Sequence, residues 1–442
     1  MAHLDIVLIA LVVASLPVCV WKPWIGVLLY CWLAMMVPQR LVGGVASECP
    51  LSKLVAAATL IGLLFTRERY ALPRRGEIYV LAALWLMFLT STAFGAIEPE
   101  RAWRKFTEVS KIFLMTGVTV VLFQDRAKLR ALLLVMSLSL GTLGIIGGVW
   151  GFETGLQERL FGPTGSWIGD NNALGFAFAM TLPLLAYVRR QERRRALRVL
   201  LLLTFGLTII ALFATYSRAA FISLCLVLPL MALHIRTSDK ALFAVGLGAC
   251  VLIHVAPQQW TERMHTITPS VYRVDGSGIQ RMKAWYVAWR LGVDHVWLGA
   301  GFFPFSPAVY EHYIPGYRDY HDAHNHFLQV FAEHGLPGLV GFVALIGLVL
   351  LHLWRLWRHV RSDARHAWIA DYAAGIGFAV VVFVVEGVFT NMPYNELYLN
   401  LVAATIVLQE IAASANGSAC ATCEERAVVT VLRRVPIVRT WL

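Results

Sequence analysis

Residues 132–150 read LLLVMSLSLGTLGIIGGVW, an uninterrupted apolar run without a charge. A helix rises 1.5 Å per residue, so about 20 such residues cross the ~30 Å hydrocarbon layer of a bilayer. The stretch is a membrane span, and its glycines suit close approach by a neighbouring helix. The same pattern recurs at Leu4–Val20, Ile25–Val37, Leu51–Phe65, Ile78–Phe94, Val109–Phe123, Ala173–Val188, Val199–Thr215 and Ala219–Ile235. A further run ends at Ala256, and three more cover Leu339–Trp354, Ile369–Thr390 and Leu397–Ile411. Across 442 residues the composition is 58% hydrophobic and 15% charged, against roughly 25% charged in soluble domains. Short alternating segments with regular turns are missing, which argues against a β-barrel. The fold class expected is an all-α polytopic membrane protein with about twelve transmembrane helices. The count becomes thirteen if the first two runs, separated by Trp21-Lys-Pro-Trp24, are distinct spans.

The formal charge of +11 invites a nucleic-acid reading, but no soluble basic domain or stacking platform accompanies it. The basic residues instead gather in short loops beginning near Arg67, Arg126, Arg189, Arg236 and Arg355. By the positive-inside rule those loops are cytoplasmic. The loops at Glu98, Gly151, Tyr216, Pro257 and Asn391 then fall on the other side, the periplasm in a bacterium. This divides the chain into a helix bundle (1–256), a periplasmic loop with interfacial helices (257–338), C-terminal spans (339–414) and a basic cytoplasmic tail (415–442). The seven cysteines give no disulfide framework, and the single Cys420-x-x-Cys423 is weak as a zinc motif.

The one long polar interruption, Pro257 to Asn325, is where chemistry is expected. It ends in HDAHNHFLQVFAEHGLPG, residues 321–338. His324 precedes a segment whose Phe327, Leu328 and Phe331 recur at helical spacing before the Gly335-Leu-Pro-Gly338 turn. An imidazole with an ordinary pKa near 6.5 can take a proton from a hydroxyl at neutral pH; the alternative is a solvated loop side chain. His321, Asp322 and His326 raise the possibility of a metal, but their spacing is not that of a helical zinc site.

Arg218 stands in the very short turn between two spans, where it either snorkels or binds an anion. Arg281, Trp285 and Trp289 follow at i, i+4 and i+8, as on a helix at the membrane interface. Two arginines at the same depth make a bidentate clamp for a diphosphate. Arg104, Lys105 and Lys111 either extend that site or anchor the interface. Asp371 and Glu386 are ionisable groups in or beside a span, functional or paired with an arginine. Asp170, Asn171 and Asn172 read as a helix cap.

These features resemble the bacterial O-antigen ligases, within the wider group that includes O-antigen polymerases and protein O-oligosaccharyltransferases. The family's His-Asn, nine residues, Gly-x-x-Gly reads here as His324-Asn325, His326 to His334, Gly335 and Gly338. Its Ser-Arg turn is matched by Ser217-Arg218. Its loop arginine, tryptophan and Leu-Gly-x-Gly are matched by Arg281, Trp285 and Leu298-Gly-Ala-Gly301. The resemblance implies a glycosyltransferase C-like membrane enzyme that needs neither metal nor cofactor. Its donor would be an undecaprenyl-diphosphate-linked glycan and its acceptor a hydroxyl, lipid A–core first among the candidates. Membrane lipids would surround it. His324 would be the catalytic base, and Arg218, Arg281, Asn325, Lys111 and Arg104 would contact substrate. A transporter is the competing class; no internal repeat of the kind that marks many transporters is visible.

Overall fold

A computed structural model describes residues 3–67, 71–235, 248, 258–265, 276–361 and 363–414. Apart from Gly248, the run that ends at Ala256 lies outside them, as does the tail with Cys420 and Cys423. Among the described residues the chain is helical and contains no strand. Eight helices among the described residues are long and apolar enough to span a bilayer: α1 (Leu4–Trp21), α5 (Gly76–Phe94), α7 (Arg126–Glu153), α8 (Asn171–Gln191), α9 (Arg195–Ala214), α14 (His326–Val360), α15 (Ala367–Glu386) and α16 (Glu396–Ser414). Shorter apolar helices α2 (Pro23–Met36), α4 (Leu51–Phe65) and α10 (Arg218–Ile235) pack among them. Between the spans lie α3 (Pro38–Val42), α6 (Pro99–Leu122), α11 (Gln258–His265), α12 (Gly276–Asp294) and α13 (Pro307–Tyr313). The protein is an all-α, multi-pass membrane protein.

The sequence left the first two runs undecided, and they are two helices. The break falls at Lys22, and Pro23, with no N–H to lose, occupies the first turn of α2. Trp167 donates its indole N–H to the Ala34 carbonyl at 2.9 Å, and Val45 N donates to Asp5 at 3.2 Å. The start of α1 and the end of α2 therefore lie at the same end of the bundle as the 154–170 loop.

Helix α6 begins ten residues before the apolar run that announced it. The stretch from Glu98 to Lys105, expected as a loop, is its cap and first turns. Pro99 opens the helix, and Arg104–Glu100 and Lys105–Glu108 pairs at 3.9 and 3.3 Å run along its exposed face. A span expected from Leu339 starts instead at His326 and continues to Val360, with one break at Gly335. The expected boundary at residue 338 thus falls inside a helix.

The glycines of α7 act as their sequence foretold. A methyl group on Gly148 would strike the Leu207 carbonyl, and one on Gly144 the Thr208 hydroxyl. Without those methyls α9 lies against α7 at backbone distance, where dispersion contacts replace the hydrophobic drive that lipid removes. At the end of the bundle away from His324, Asp371 pairs with Arg190 at 3.2 Å and accepts from Gln191 at 2.6 Å. Arg75 meets Glu410 there at 2.6 Å.

Candidate functional site

Three helices begin at one place. Asp170 caps α8, its carboxylate accepting from Asn172 N and Ala173 N. The next residue, Asn171, donates its amide to the Thr215 carbonyl at 2.8 Å, which ties the start of α8 to the turn that launches α10 at Arg218. Asn325 caps α14, accepting from Phe327 N and Leu328 N at 3.0 and 3.1 Å. The end of α15 closes the group: His326 N donates to Gly387 O at 2.6 Å, and the Asn325 amide donates to Val388 O at 3.3 Å. The positive ends of three helix dipoles thus point toward one region, which favours an anion. The leading N–H groups of α8 and α14 are engaged by Asp170, Asn325 and the Gly387 carbonyl.

His324 stands at this meeting point, half-buried, with φ of +47°. A non-glycine residue in that left-handed region costs about 1–3 kcal/mol, so the surrounding structure must impose it. Burial first, and then the positive charge of Arg281, hold its pKa below the ordinary histidine value. Asp322 and Asp170 pull the other way, and His321 adds to the lowering. The imidazole is consequently neutral at pH 7, the form able to accept a proton. Asp322 is steadied by Asn391 at 2.7 Å, and the His321 carbonyl accepts from the Tyr310 hydroxyl at 2.7 Å. Residues from α8, α12, the 321–325 loop and the α15–α16 connection therefore surround one histidine, although they are spread over some 220 positions of sequence (170 to 391).

Arg281 lies near the start of α12. One face of that helix buries Ala284, Val287, Ala288 and Leu291. Ile279, Met282, Tyr286, Trp289 and Val293 form an exposed apolar stripe on another, consistent with the interfacial helix expected from sequence. Arg218 opens α10 after Tyr216, whose φ is +57°. The Tyr216 hydroxyl donates to Leu156 O at 2.5 Å, so the 154–171 loop holds the arginine's turn from behind.

Asn325 has its carbonyl oxygen and its amide engaged with protein, which makes it a support for His324. Arg104 and Lys111 are exposed on α6, and neither is among the charges acting on His324. Among the described residues no group of three His, Cys, Asp or Glu side chains is disposed to hold a metal ion.

The neighbouring histidines are core residues. His326 is fully buried beside Phe383 and Phe176, its Nε2 at 3.0 Å from the Thr390 hydroxyl. His334 is fully buried, at 2.6 Å from Ser91 and packed on Phe88 and Phe302. Glu386 is also buried, at the end of α15.

The glycine motifs form a joint. Gly335 breaks α14 with φ +67° and ψ −169°, and Gly299 and Gly301 also have positive φ. Ala300 N and Gly301 N donate to Ala332 O and Glu333 O at 2.9 Å, and Leu336 N donates to Val296 O at 2.7 Å. A side chain on Gly299 would overlap the Glu333 backbone, and one on Gly335 would lie 2.5 Å from Val296 O. Leu298-Gly-Ala-Gly301 and Gly335-Leu-Pro-Gly338 are thus two halves of one backbone crossing.

Sequence reasoning missed three polar residues under His324: Gln329, Glu333 and Tyr394. A signal was present, since Asn325, Gln329 and Glu333 recur every four residues along an otherwise apolar helix.

The fold and site define a membrane-embedded protein whose polar centre sets a neutral histidine beside Arg281 where several helices begin. Residues 202–343 match the family described as O-antigen ligase, a segment that contains Arg218, Arg281, His324, Gly335 and Gly338. That match supports membership of the O-antigen ligase family. Residues 3–193 match a family of unknown function. No curated protein matches the chain. The family implies glycosyltransferase-like ligase or polymerase activity on lipid-linked glycans.

Proposed function

We propose that this protein transfers a glycan from undecaprenyl diphosphate to a hydroxyl acceptor, most favourably lipid A–core, at the periplasmic face of the inner membrane. One observation carries the reading: His324, half-buried beside the capped start of α14, lies close enough to Arg281 to feel its charge. A cation beside a base is what an acceptor hydroxyl and a departing diphosphate require together. The unprotonated nitrogen of His324 takes the proton from the acceptor hydroxyl. The oxygen's electron pair then forms a bond to the anomeric carbon. The bond from that carbon to the phosphate oxygen breaks, and its pair leaves on undecaprenyl diphosphate. Arg218 and Arg281 stabilise that developing charge in a partly desolvated setting, where charge-assisted hydrogen bonds are strongest. Attack opposite the leaving group inverts the anomeric centre.

In this reading residues 1–256 and 339–414 form the bundle, 257–338 form the catalytic loop, and 415–442 are cytoplasmic. Helix α14 carries the end of the loop into the bundle. Arg104 and Lys111 serve at the rim, toward the rest of the donor. The chemistry needs no metal, because the arginines supply the positive charge. A polymerase joining glycan repeats, or a ligase acting on protein hydroxyls, uses the same centre with a different acceptor.

The test is transfer by purified protein in nanodiscs, with lipid-linked donor, lipid A–core and a strong chelator. Wild type should give an inverted linkage. His324→Asn should give none while inserting normally, because asparagine tolerates positive φ. Normal turnover by that variant, or retained configuration, would remove the mechanism. Transfer only to a second glycan or to a peptide would reassign the acceptor.

A further inference from the structure

We propose that Gln329 is a positioning residue for His324, held in its working orientation by Glu333. The proposal rests on the reading of His324 as the base, and it adds the device that holds the base in place. His324 hangs between two anchored neighbours. On one side Asn325 is fixed as the cap of α14. On the other, Ala323 is fixed through its N–H, which donates to Gln329 Oε1 at 3.1 Å. Gln329 Nε2 in turn donates to Glu333 Oε1 at 2.6 Å. The same oxygen accepts from Phe303 N at 3.2 Å, and Glu333 Oε2 accepts from the Tyr394 hydroxyl at 2.8 Å. Ala323, Gln329, Glu333 and Tyr394 are all buried.

The direction of this chain is forced. A backbone N–H can only donate, so Ala323 demands the oxygen of Gln329. The Gln329 NH2 then faces Glu333, which must accept, and Phe303 N imposes the same demand on that carboxyl. With its polarity set at both ends, the amide of Gln329 cannot flip without confronting one donor with another. The result is an anchor one residue before an imidazole whose own backbone is strained, at φ +47°. The joint that places Phe303 follows directly from the Leu298-Gly-Ala-Gly301 crossing, so the glycine motifs also serve the base through Glu333.

Positioning predicts a defined pattern in Gln329→Leu, which keeps bulk and removes both hydrogen bonds. The protein should insert and remain monodisperse. Its kcat should fall about 10²-fold, the typical cost of a misplacement near 1 Å, with KM for the donor unchanged. His324, released toward solvent and away from Arg281 on α12, should titrate higher. Asp170 at the α8 cap and Asp322 and His321 in the same loop are the other charged or titratable groups facing it. That titration is read without any turnover, from the pH dependence of diethyl pyrocarbonate modification of His324 by peptide mass spectrometry. Gln329→Glu alone should also fail, since two carboxyls would then face each other. Combining it with Glu333→Gln should not recover kcat, because the new amide nitrogen turned toward residue 329 would confront Phe303 N, which donates to that same position.

Wild-type kcat and an unchanged His324 titration in Gln329→Leu would overturn the proposal. So would lost activity with the titration unmoved, which is the signature of packing damage. If wild type transfers no glycan, the functional reading fails by itself, and the modification profile still decides whether Gln329 holds His324.

Discussion

Replacing Gly335 with alanine should unfold the protein more readily than any other glycine change in α14. Its φ of +67° with ψ of −169° lies in a region essentially reserved for glycine, and forcing a side chain there costs about 1–3 kcal/mol. The new Cβ would also stand 2.5 Å from Val296 O, 3.0 Å from Val296 C and 3.1 Å from Gly299 N. All three are backbone atoms, so no side-chain rotation relieves the overlap. Separation would break the Leu336 N to Val296 O hydrogen bond of 2.7 Å, worth about 0.5–1.5 kcal/mol net. Together these give a destabilisation of about 3 kcal/mol. Gly347, on the same helix, is the control: nothing lies within 4 Å of an added Cβ, and alanine there should be neutral or stabilise by up to about 1 kcal/mol. Thermal unfolding of both variants in one detergent, followed by circular dichroism, measures the difference. Equal midpoints would refute the account of Gly335 as a backbone joint. A stable but inactive Gly335→Ala would instead mean that this glycine makes room for substrate.

Three further outcomes follow from the site. The base acts only when neutral, so activity should disappear as pH falls through the folded pKa of His324, which lies below the ordinary value. Arg281→Gln removes one cause of that lowering, so the acid limb of a kcat profile should move upward in pH; a limb that stays put would separate Arg281 from His324. His326→Ala should destabilise by about 2–4 kcal/mol, as loss of a buried ring does, yet leave kcat per folded molecule within a few-fold of wild type. Abolished turnover in stable His326→Ala would bring that histidine back into the chemistry. Asn325→Ala should cost about 0.5–2 kcal/mol by removing the cap of α14, whereas Asn325→Asp keeps the acceptor and should be milder. Equal melting of the two variants would end the capping role.

What the sequence determined by itself was the medium and the order of events. Runs such as 132–150 have one stable home, because water disfavours their apolar side chains, a helix satisfies its own backbone in lipid, and their lengths match a bilayer. The placement of His324, of the Ser217-Arg218 turn and of Arg281 along the chain was equally legible, since motif spacing is a one-dimensional property. So were the cap at Asp170 and the glycine face of α7. The start of α6 is not marked by hydrophobicity, because its first turns are charged; its sequence signal is Pro99 followed by Glu100. The separation of α1 from α2 rested on Pro23 and became visible only with the Trp167 and Asp5 contacts.

Tertiary structure alone decided which polar residues share a site. His326 and His334 follow closely after His324 with the same side chain, yet both are sealed in the core. Asp170, more than 150 positions away, reaches its electrostatic field. The reason is physical: neighbouring residues on a helix point in different directions, while charges interact through space whatever their distance along the chain. The sequence could nominate a histidine as the base. Only the packing of α8, α12, α14 and α15 gives that histidine its strained backbone, its depressed pKa and the buried Gln329–Glu333 chain beneath it.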